Sequence, residues 1–446
     1  MPLARLCAVF FSMLAMATLA RAEMLPDSTA TDAWRLSNGL EVRVHHVPRA
    51  AGVAIVVAYR AGSAYEPAGA EGLSELLAQL QFTGPAGDIP ARTREEMDSL
   101  RPLGWGLRTN AQLVVMTEIA SSDHFPGVLR QVATRMKGVG VTDADLKASL
   151  ATVRRDLATR GFGRPELGLY YRVRDLAHGL DDAAILHRSS GHGLDGATLK
   201  VVSARLHAMY VPANASLGLA GDFSQIDVRA LVEQEFGSIP GGTAQAEVAA
   251  RPLRPGTRSA LWPGLEHPLG VVGIFAPALE DSLHPAFFLG ALLMGGWFRD
   301  QMGPPRAPLV SRFQYSLLDE PDLLRLYPTP SEQETDAGAL SAVVNRGLDQ
   351  VSGINASREQ IEAMRFNVDW LLGGLIPPGV LQQCHTQTGA LGTLASSMAT
   401  RALWHGDGFW DAYRARFEHT LLGHNAFTEW MQSPAHQIAL LFRAKS

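Results

Sequence analysis

Hydrophobic positions divide the chain into alternating strand and helix patterns that start twice. Leu40, Val42 and Val44 alternate with Glu41, Arg43 and His45 behind an Asn38-Gly39 turn. That two-residue period predicts a strand leaving a tight turn. The run AGVAIVVAYRAGS, residues 51–63, predicts a second and more buried strand. Leu73, Leu76, Leu77 and Leu80 then recur at helical spacing across residues 72–82. Helical patterns continue over 125–136 and 143–159, a short strand over 214–221 ends at Gly221-Asp222, and a helix over 225–236 follows. Residues 237–257 are rich in Gly, Ala and Pro without periodicity, as in a linker between domains. Beyond them come an apolar strand over 270–279, a helix carrying Leu289, Leu292 and Leu293, and a Gly295-Gly296 break. The strand-like LLRLYPTP, an amphipathic helix over 336–351 and the terminal strand HQIALLFRA complete the second half. Two α+β halves of similar order predict an internal duplication.

Composition narrows the function. With 446 residues, 46% hydrophobic and 19% charged, the chain has ample material for two cores. A net charge of −5 offers no basic face for nucleic-acid phosphates and argues against that partner class. Arg5, the apolar run from Leu6 to Leu19 and the Ala20-Arg21-Ala22 site match the order of a signal peptide over residues 1–22, so the chain is expected to be exported, periplasmic or secreted. The run is short for a membrane span. Cleavage after Ala22 would leave 37 basic against 44 acidic residues. It would also leave Cys384 as the single cysteine, which excludes an intramolecular disulfide framework. Cys384-His385 is no nucleophile pair by adjacency alone, because neighbouring residues on a helix point in different directions.

The segment YRAGSAYEPAGAEGLSELLAQLQFTG, residues 59–84, resembles the insulinase and mitochondrial-processing-peptidase family of zinc peptidases, the M16 type. There a strand ending in Arg-x-Gly-Ser leads through a Glu-Pro turn into the inverted zinc motif. Leu36 to Leu40 with Val44 resemble that family's opening strand, and YVPANASLGLAGDF (210–223) with FGSIPGG (236–242) resemble the close of its first domain. The resemblance spans nearly the whole chain after residue 22. It implies an α+β fold of two similar domains, each a mainly antiparallel sheet covered by helices, over residues 23–242 and 258–446 with a linker at 243–257.

Catalysis in that family needs H-x-x-E-H on a helix, two imidazoles for zinc and a glutamate for the metal-bound water. Aligned on Gly72-Leu73, this chain has Glu75 and Gln79 at the histidine positions and Ala78 at the glutamate. Glu75 could ligate a metal, but Gln79 is a poor zinc ligand and Ala78 accepts no proton. The family's third ligand, a glutamate on a later helix, has only Asp156 near its position, and Arg154-Arg155 beside it suggest a solvated, ion-paired face. No catalytic or metal residue is therefore assigned. The 14 histidines form no helical pair backed by an acid. His45 and His46 face opposite sides of a strand, and His187 and His192 read as loop residues.

The resemblance further implies a substrate-contacting Arg and Tyr in the second half. Arg306 stands at the expected distance from Gly295, and Tyr315 lies two residues later than the family's tyrosine, after the proline-broken GPPRAPLVSRFQY. Family members bind peptide backbone on an edge strand of the first domain. Asn110-Ala111 resembles part of that motif, but its register to LVVMTEI differs, so no peptide role is assigned to it. The implied function is the non-catalytic, substrate-holding subunit of a heterodimeric zinc peptidase, with zinc only in the partner chain. A free-standing periplasmic peptide-binding or scaffolding protein is the alternative. A peptidase with a relocated site comes last, because no nucleophile or ligand cluster supports one.

Overall fold

The computed structural model describes residues 31–160, 165–180, 182–248, 253–261, 265, 267–291, 313–317, 320–328, 336–352, 387–418 and 426–443. The first half builds a six-stranded sheet from β1 (Thr31–Arg35), β2 (Glu41–His46), β3 (Val53–Tyr59), β4 (Trp105–Thr109), β5 (Val114–Ala120) and β6 (Ala215–Gly221), in the order β1-β2-β6-β3-β5-β4. The second half builds a five-stranded sheet from β7 (Gly256–Leu261), β8 (Leu269–Phe275), β9 (Phe313–Ser316), β10 (Glu320–Leu326) and β11 (Gln437–Arg443), in the order β7-β11-β8-β10-β9. Apart from β1, the two orders coincide: first, last, second, fourth and third strand of each half. Each sheet also has one parallel pair, β2 with β6 and β7 with β11, and its other pairs are antiparallel. The duplication expected from the hydrophobic pattern is thus written in the strand topology.

Local sequence explains the elements around the site. Gly39, at φ 93°, closes the turn in which Leu36 N donates to Leu40 O at 3.0 Å. Helix α1 (Leu73–Thr83) begins at Gly72, whose φ of 94° lies in the left-handed region. A Cβ on Gly72 would also stand 2.9 Å from Leu157. Leu73, Leu76, Leu77 and Leu80 are buried as the spacing predicts, and they pack on the sheet with α3 (Phe125–Lys137), α4 (Asp143–Ala158) and α7 (Leu199–Met209). Between α1 and β4 lies α2 (Arg94–Leu100), which starts with a Thr93–Glu96 capping box.

The opposite faces of the two sheets are covered by an exchange. Helix α5 (Pro165–Ala177), from the first half, places Leu169, Val173, Leu176 and Ala177 among Val271, Leu323, Ile438 and Leu440 of the second sheet. Helix α10 (Thr388–Leu403), from the second half, places Leu391, Leu394, Ala395, Met398 and Ala399 among Ala54, Val56, Ala58 and Ala220 of the first. Residues 388–403, expected to serve the second domain, thus complete the core of the first. Between α5 and α7 the chain forms α6 (Asp182–Ser190), followed by a 3-10 turn at His192–Leu194. The segment around His187 and His192, expected as a loop, is therefore mostly helical. It packs against α4 and α5, which gives its apolar positions a partner that the local sequence did not show. Helix α8 (Val228–Phe236) adds Val232 and Phe236 to the first core, and the second core closes with α9 (Ala337–Ser352), α11 (Gly406–Glu418) and α12 (Ala426–Gln432) around Trp410, Tyr413 and Phe417. No described helix is long and apolar enough to cross a membrane.

Candidate functional site

Helix α1 presents Glu75, Ala78 and Gln79 at the end of the first sheet, and arginines from three directions meet them. Arg94, at the start of α2, donates to Gln79 Oε1 from Nε at 3.2 Å and from Nη2 at 2.9 Å. The same Nη2 lies 2.7 Å from Asp156 Oδ2 on α4. One guanidinium therefore joins Gln79 and Asp156, the two residues that the motif resemblance set at the second histidine and near the third ligand. Asp156 is ion-paired, as its surroundings suggested, but its partner is Arg94 rather than either neighbouring arginine. Glu75 Oε1 lies 2.9 Å from Arg188 Nη2 and 3.6 Å from Arg160 Nη1. Ala78 is fully buried and offers nothing to a proton.

The network runs deeper than α1. Arg188 Nη1 contacts Asp175 Oδ1 on α5 at 3.2 Å, and Arg174 Nη2 contacts the same oxygen at 3.3 Å. Arg160 and Arg174 both stand over the Tyr171 ring, 5.1 and 5.2 Å from its centre. Glu66 Oε1 accepts from Gly72 N at 3.1 Å and Ser74 N at 2.8 Å, which holds the Glu-Pro turn against the start of α1. Burial and the nearby Glu75 push the Glu66 carboxyl up to about 8. Burial acts upward on Glu75 too, but Arg188, Arg160 and Arg174 outweigh it and hold that carboxyl at about 2. Glu75 Oε2 is buried without a hydrogen-bond partner.

These residues do not fit a divalent zinc ion. The two carboxylates are committed to guanidinium groups, Gln79 accepts from Arg94, and three positive charges surround the positions where a cation would need neutral or anionic donors. Among the described residues no group of three His, Cys, Asp or Glu side chains could hold a metal. His45 and His46 do face opposite ways: His45 Nδ1 lies 3.1 Å from Thr31 Oγ1 in the interior, while His46 Nδ1 accepts from Phe223 N at 3.1 Å.

Arg306 lies outside the described residues. Tyr315 does not reach outward. Its hydroxyl donates to Pro321 O at 2.7 Å and lies 3.1 Å from Nε2 of the buried His284, whose Nδ1 in turn is 2.7 Å from Tyr413 Oη. Phe287 and Phe288 pack on the Tyr315 ring. With its hydroxyl committed inside the second core, Tyr315 serves packing, and the substrate contact expected of it is not carried further.

A second feature lay beyond the motif comparison. Among the described residues strand β4 is the edge of the first sheet, joined to β5 by the hairpin at Asn110-Ala111. Gly62 passes so close to this hairpin that a Cβ there would stand 2.5 Å from Ala111 O, which explains a glycine in the Arg-x-Gly-Ser segment. Gly104 O accepts from Ile119 N and Asn110 N donates to Leu113 O, both at 2.9 Å. By antiparallel alternation, Gly104, Gly106 and Arg108 turn their peptide groups toward β5, while Trp105, Leu107 and Thr109 turn theirs to the free edge. Alongside runs a groove of about 540 Å³ whose walls include Gly106, Thr117, Gly392, Ser396, Thr400 and Ser316. Thr400 is 1% exposed and its hydroxyl has no hydrogen-bond partner. The register that disagreed with the family motif therefore does not remove the edge itself.

This architecture is that of the M16-type peptidase fold. The chain is similar to a protease from Helicobacter pylori, with a TM-score of 0.71 and 16% identity over 93% of this chain and 99% of that one. It is also similar to a peptidase M16 inactive domain from Pseudomonas fluorescens, with a TM-score of 0.64 and 14% identity over 94% and 98% of the two chains. The periplasmic protease PqqL from Escherichia coli matches with a TM-score of 0.61 and 12% identity over 94% of this chain and 48% of its own. No protein-family sequence model matches the chain, and no curated protein matches it in sequence.

Proposed function

We propose that this chain is an exported, non-catalytic member of the M16-type peptidase family that holds peptide for a zinc-bearing partner chain. The observation that carries the reading is the pairing of Arg94 with Gln79 and Asp156 and of Arg188 with Glu75, which occupies the expected ligand positions with amide– and carboxylate–guanidinium contacts while Ala78 supplies no base. The partner claim is supported by the match of this chain to about half the length of a periplasmic protease with two such halves' worth of chain. The peptide-holding claim is supported by the free edge of β4 and the groove beside it, since an extended segment could add to Trp105, Leu107 and Thr109 as a further strand.

The purified protein should carry no stoichiometric zinc and cut no peptide alone. About one tightly held zinc per chain, lost in Glu75→Ala, would overturn this. Mixed with a zinc-bearing M16-type chain from the same cell, it should form a complex by size and mass. Arg306 remains the proposed second-domain contact to peptide. Loss of one charge-assisted hydrogen bond in Arg306→Ala should lower the partner's kcat/KM roughly 10- to 150-fold, with zinc content and assembly unchanged. A complex with unaltered cleavage removes only the role of Arg306. Peptide binding without any such complex would instead favour the free-standing peptide-binding protein.

A further inference from the structure

We infer that Glu75, standing where the related peptidases have a metal ligand, is a positioning residue that latches the two halves together and sets the width of the groove beside β4. The charged path joins three helices by two contacts, from Glu75 on α1 through Arg188 on α6 to Asp175 on α5, at 2.9 and 3.2 Å. Asp175, Arg174 and Glu75 are all shielded from solvent, so these contacts are only weakly screened. Helix α5 belongs mechanically to the second half. Besides its apolar contacts, Arg172 stands 5.5 Å from the centre of the Phe442 ring on β11, and His178 Nε2 lies 3.5 Å from Asp322 Oδ2 on β10. Arg254 N, just before β7, donates to Ala177 O at 2.8 Å. A displacement of Asp175 thus carries the second sheet with it.

A second connection between the halves, from α10 into α11, is jointed. Helix α10 is fixed to the first sheet and ends at Leu403, whose carbonyl accepts from Arg60 Nη2. Two residues later His405 and Gly406 both take left-handed conformations, with φ of 62° and 74°, before α11 enters the second core. A sharp bend on one side and a charged latch on the other give the second half a rotation axis and a stop. The groove lies between α10 and the β4 edge, with Ser316 at the end of β9 on its wall, so this rotation changes its opening.

The inference rests on the peptide-holding reading for its consequence, but not for the latch itself, and two measurements separate them. Labels at Ala148→Cys on α4 and Ser282→Cys, both exposed positions, report the distance between the halves in a Cys384→Ser background. Glu75→Gln and Asp175→Asn, which keep the side-chain shapes, should each shift or broaden that distance in the same way. Glu118→Gln disturbs a buried ion pair inside the first half, with Arg101 and Arg135, and should lower stability without moving the distance. Binding of an extended, fluorescently labelled peptide that the parent protein retains should weaken about tenfold in Glu75→Gln and Asp175→Asn, as loss of one charge-assisted contact in the latch lowers the population of the binding-competent opening. Unchanged distances in both variants would sink the latch. Altered distances with unaltered peptide affinity would remove its control of the groove. A parent protein that retains no peptide would count against the peptide-holding reading, while the distances still decide the latch.

Discussion

Helices α5 and α10 make the same topological move in opposite directions, yet they are held by different forces. Helix α10 meets the first sheet with Leu391, Leu394, Ala395, Met398 and Ala399, and the groove-side face left over carries Gly392, Thr393, Ser396 and Thr400. Helix α5 has a comparable apolar face on the second sheet, but its return side carries Arg174 and Asp175 into a charged network ending at Glu75. An apolar junction is non-directional and tolerates small slides. A chain of buried ion pairs has a defined geometry and loses much when one member is removed. The comparison teaches that α1 takes its charged partners in part from the element that crosses between the halves.

The most damaging way to break this contrast is Arg188→Ala. It leaves Glu75 and Asp175 buried without their shared cation and should cost about 3–5 kcal/mol of stability in a urea titration. A loss below about 1 kcal/mol would mean that the network is solvated rather than buried. Leu394→Ala tests the apolar junction and should cost about 2–5 kcal/mol, according to how far the cavity collapses. Unlike Arg188→Ala, it should be indifferent to pH between 5 and 8.

A smaller effect separates the two carboxyls. Glu66, pushed up to about 8, keeps its proton in the folded protein where the unfolded chain has lost it above about 4.5. Between those values the folded state binds more protons, so stability falls as pH rises. Glu75, held near 2, contributes stability that is present above about 4.5 and is lost as pH falls toward 2. Glu66→Gln should therefore flatten the decline in urea midpoint from pH 5 to pH 8 and leave the acid limb intact. An identical slope in the variant would exclude Glu66 as its source. The smallest effect belongs to Arg94→Ala, whose contact with Asp156 is partly open to solvent, at 39% and 29% side-chain exposure. It should cost about 0–1 kcal/mol and, if the guanidinium only fills the site, should not create zinc binding in metal analysis.

Much of the first half was legible in the chain because its signals are local. The Asn38-Gly39 turn, the alternation through Val44 and the leucines of α1 are determined by neighbours within a few residues. The residue types at Glu75, Ala78 and Gln79, on which the expectation of a missing zinc motif rests, are equally local. Arg94 and Arg188 were not, since they lie 15 and 113 residues from the side chains they meet. The helical state of residues 182–190 depended on packing against α4 and α5. Tyr315 could be placed near the right position but not oriented, because its hydroxyl is claimed by His284 and Pro321 from separate parts of the second core.

The sequence by itself determined the two-fold order of strands and helices, the turn chemistry and the leucine face of α1. Periodicity and residue type carry those properties without reference to distant contacts. Only the tertiary structure decided which sheet each crossing helix covers, which arginine neutralises which acid, and where β4 is left open. Those outcomes depend on groups far apart in the chain meeting in a low-dielectric interior, where an unpaired charge or peptide group is costly enough to select its partner.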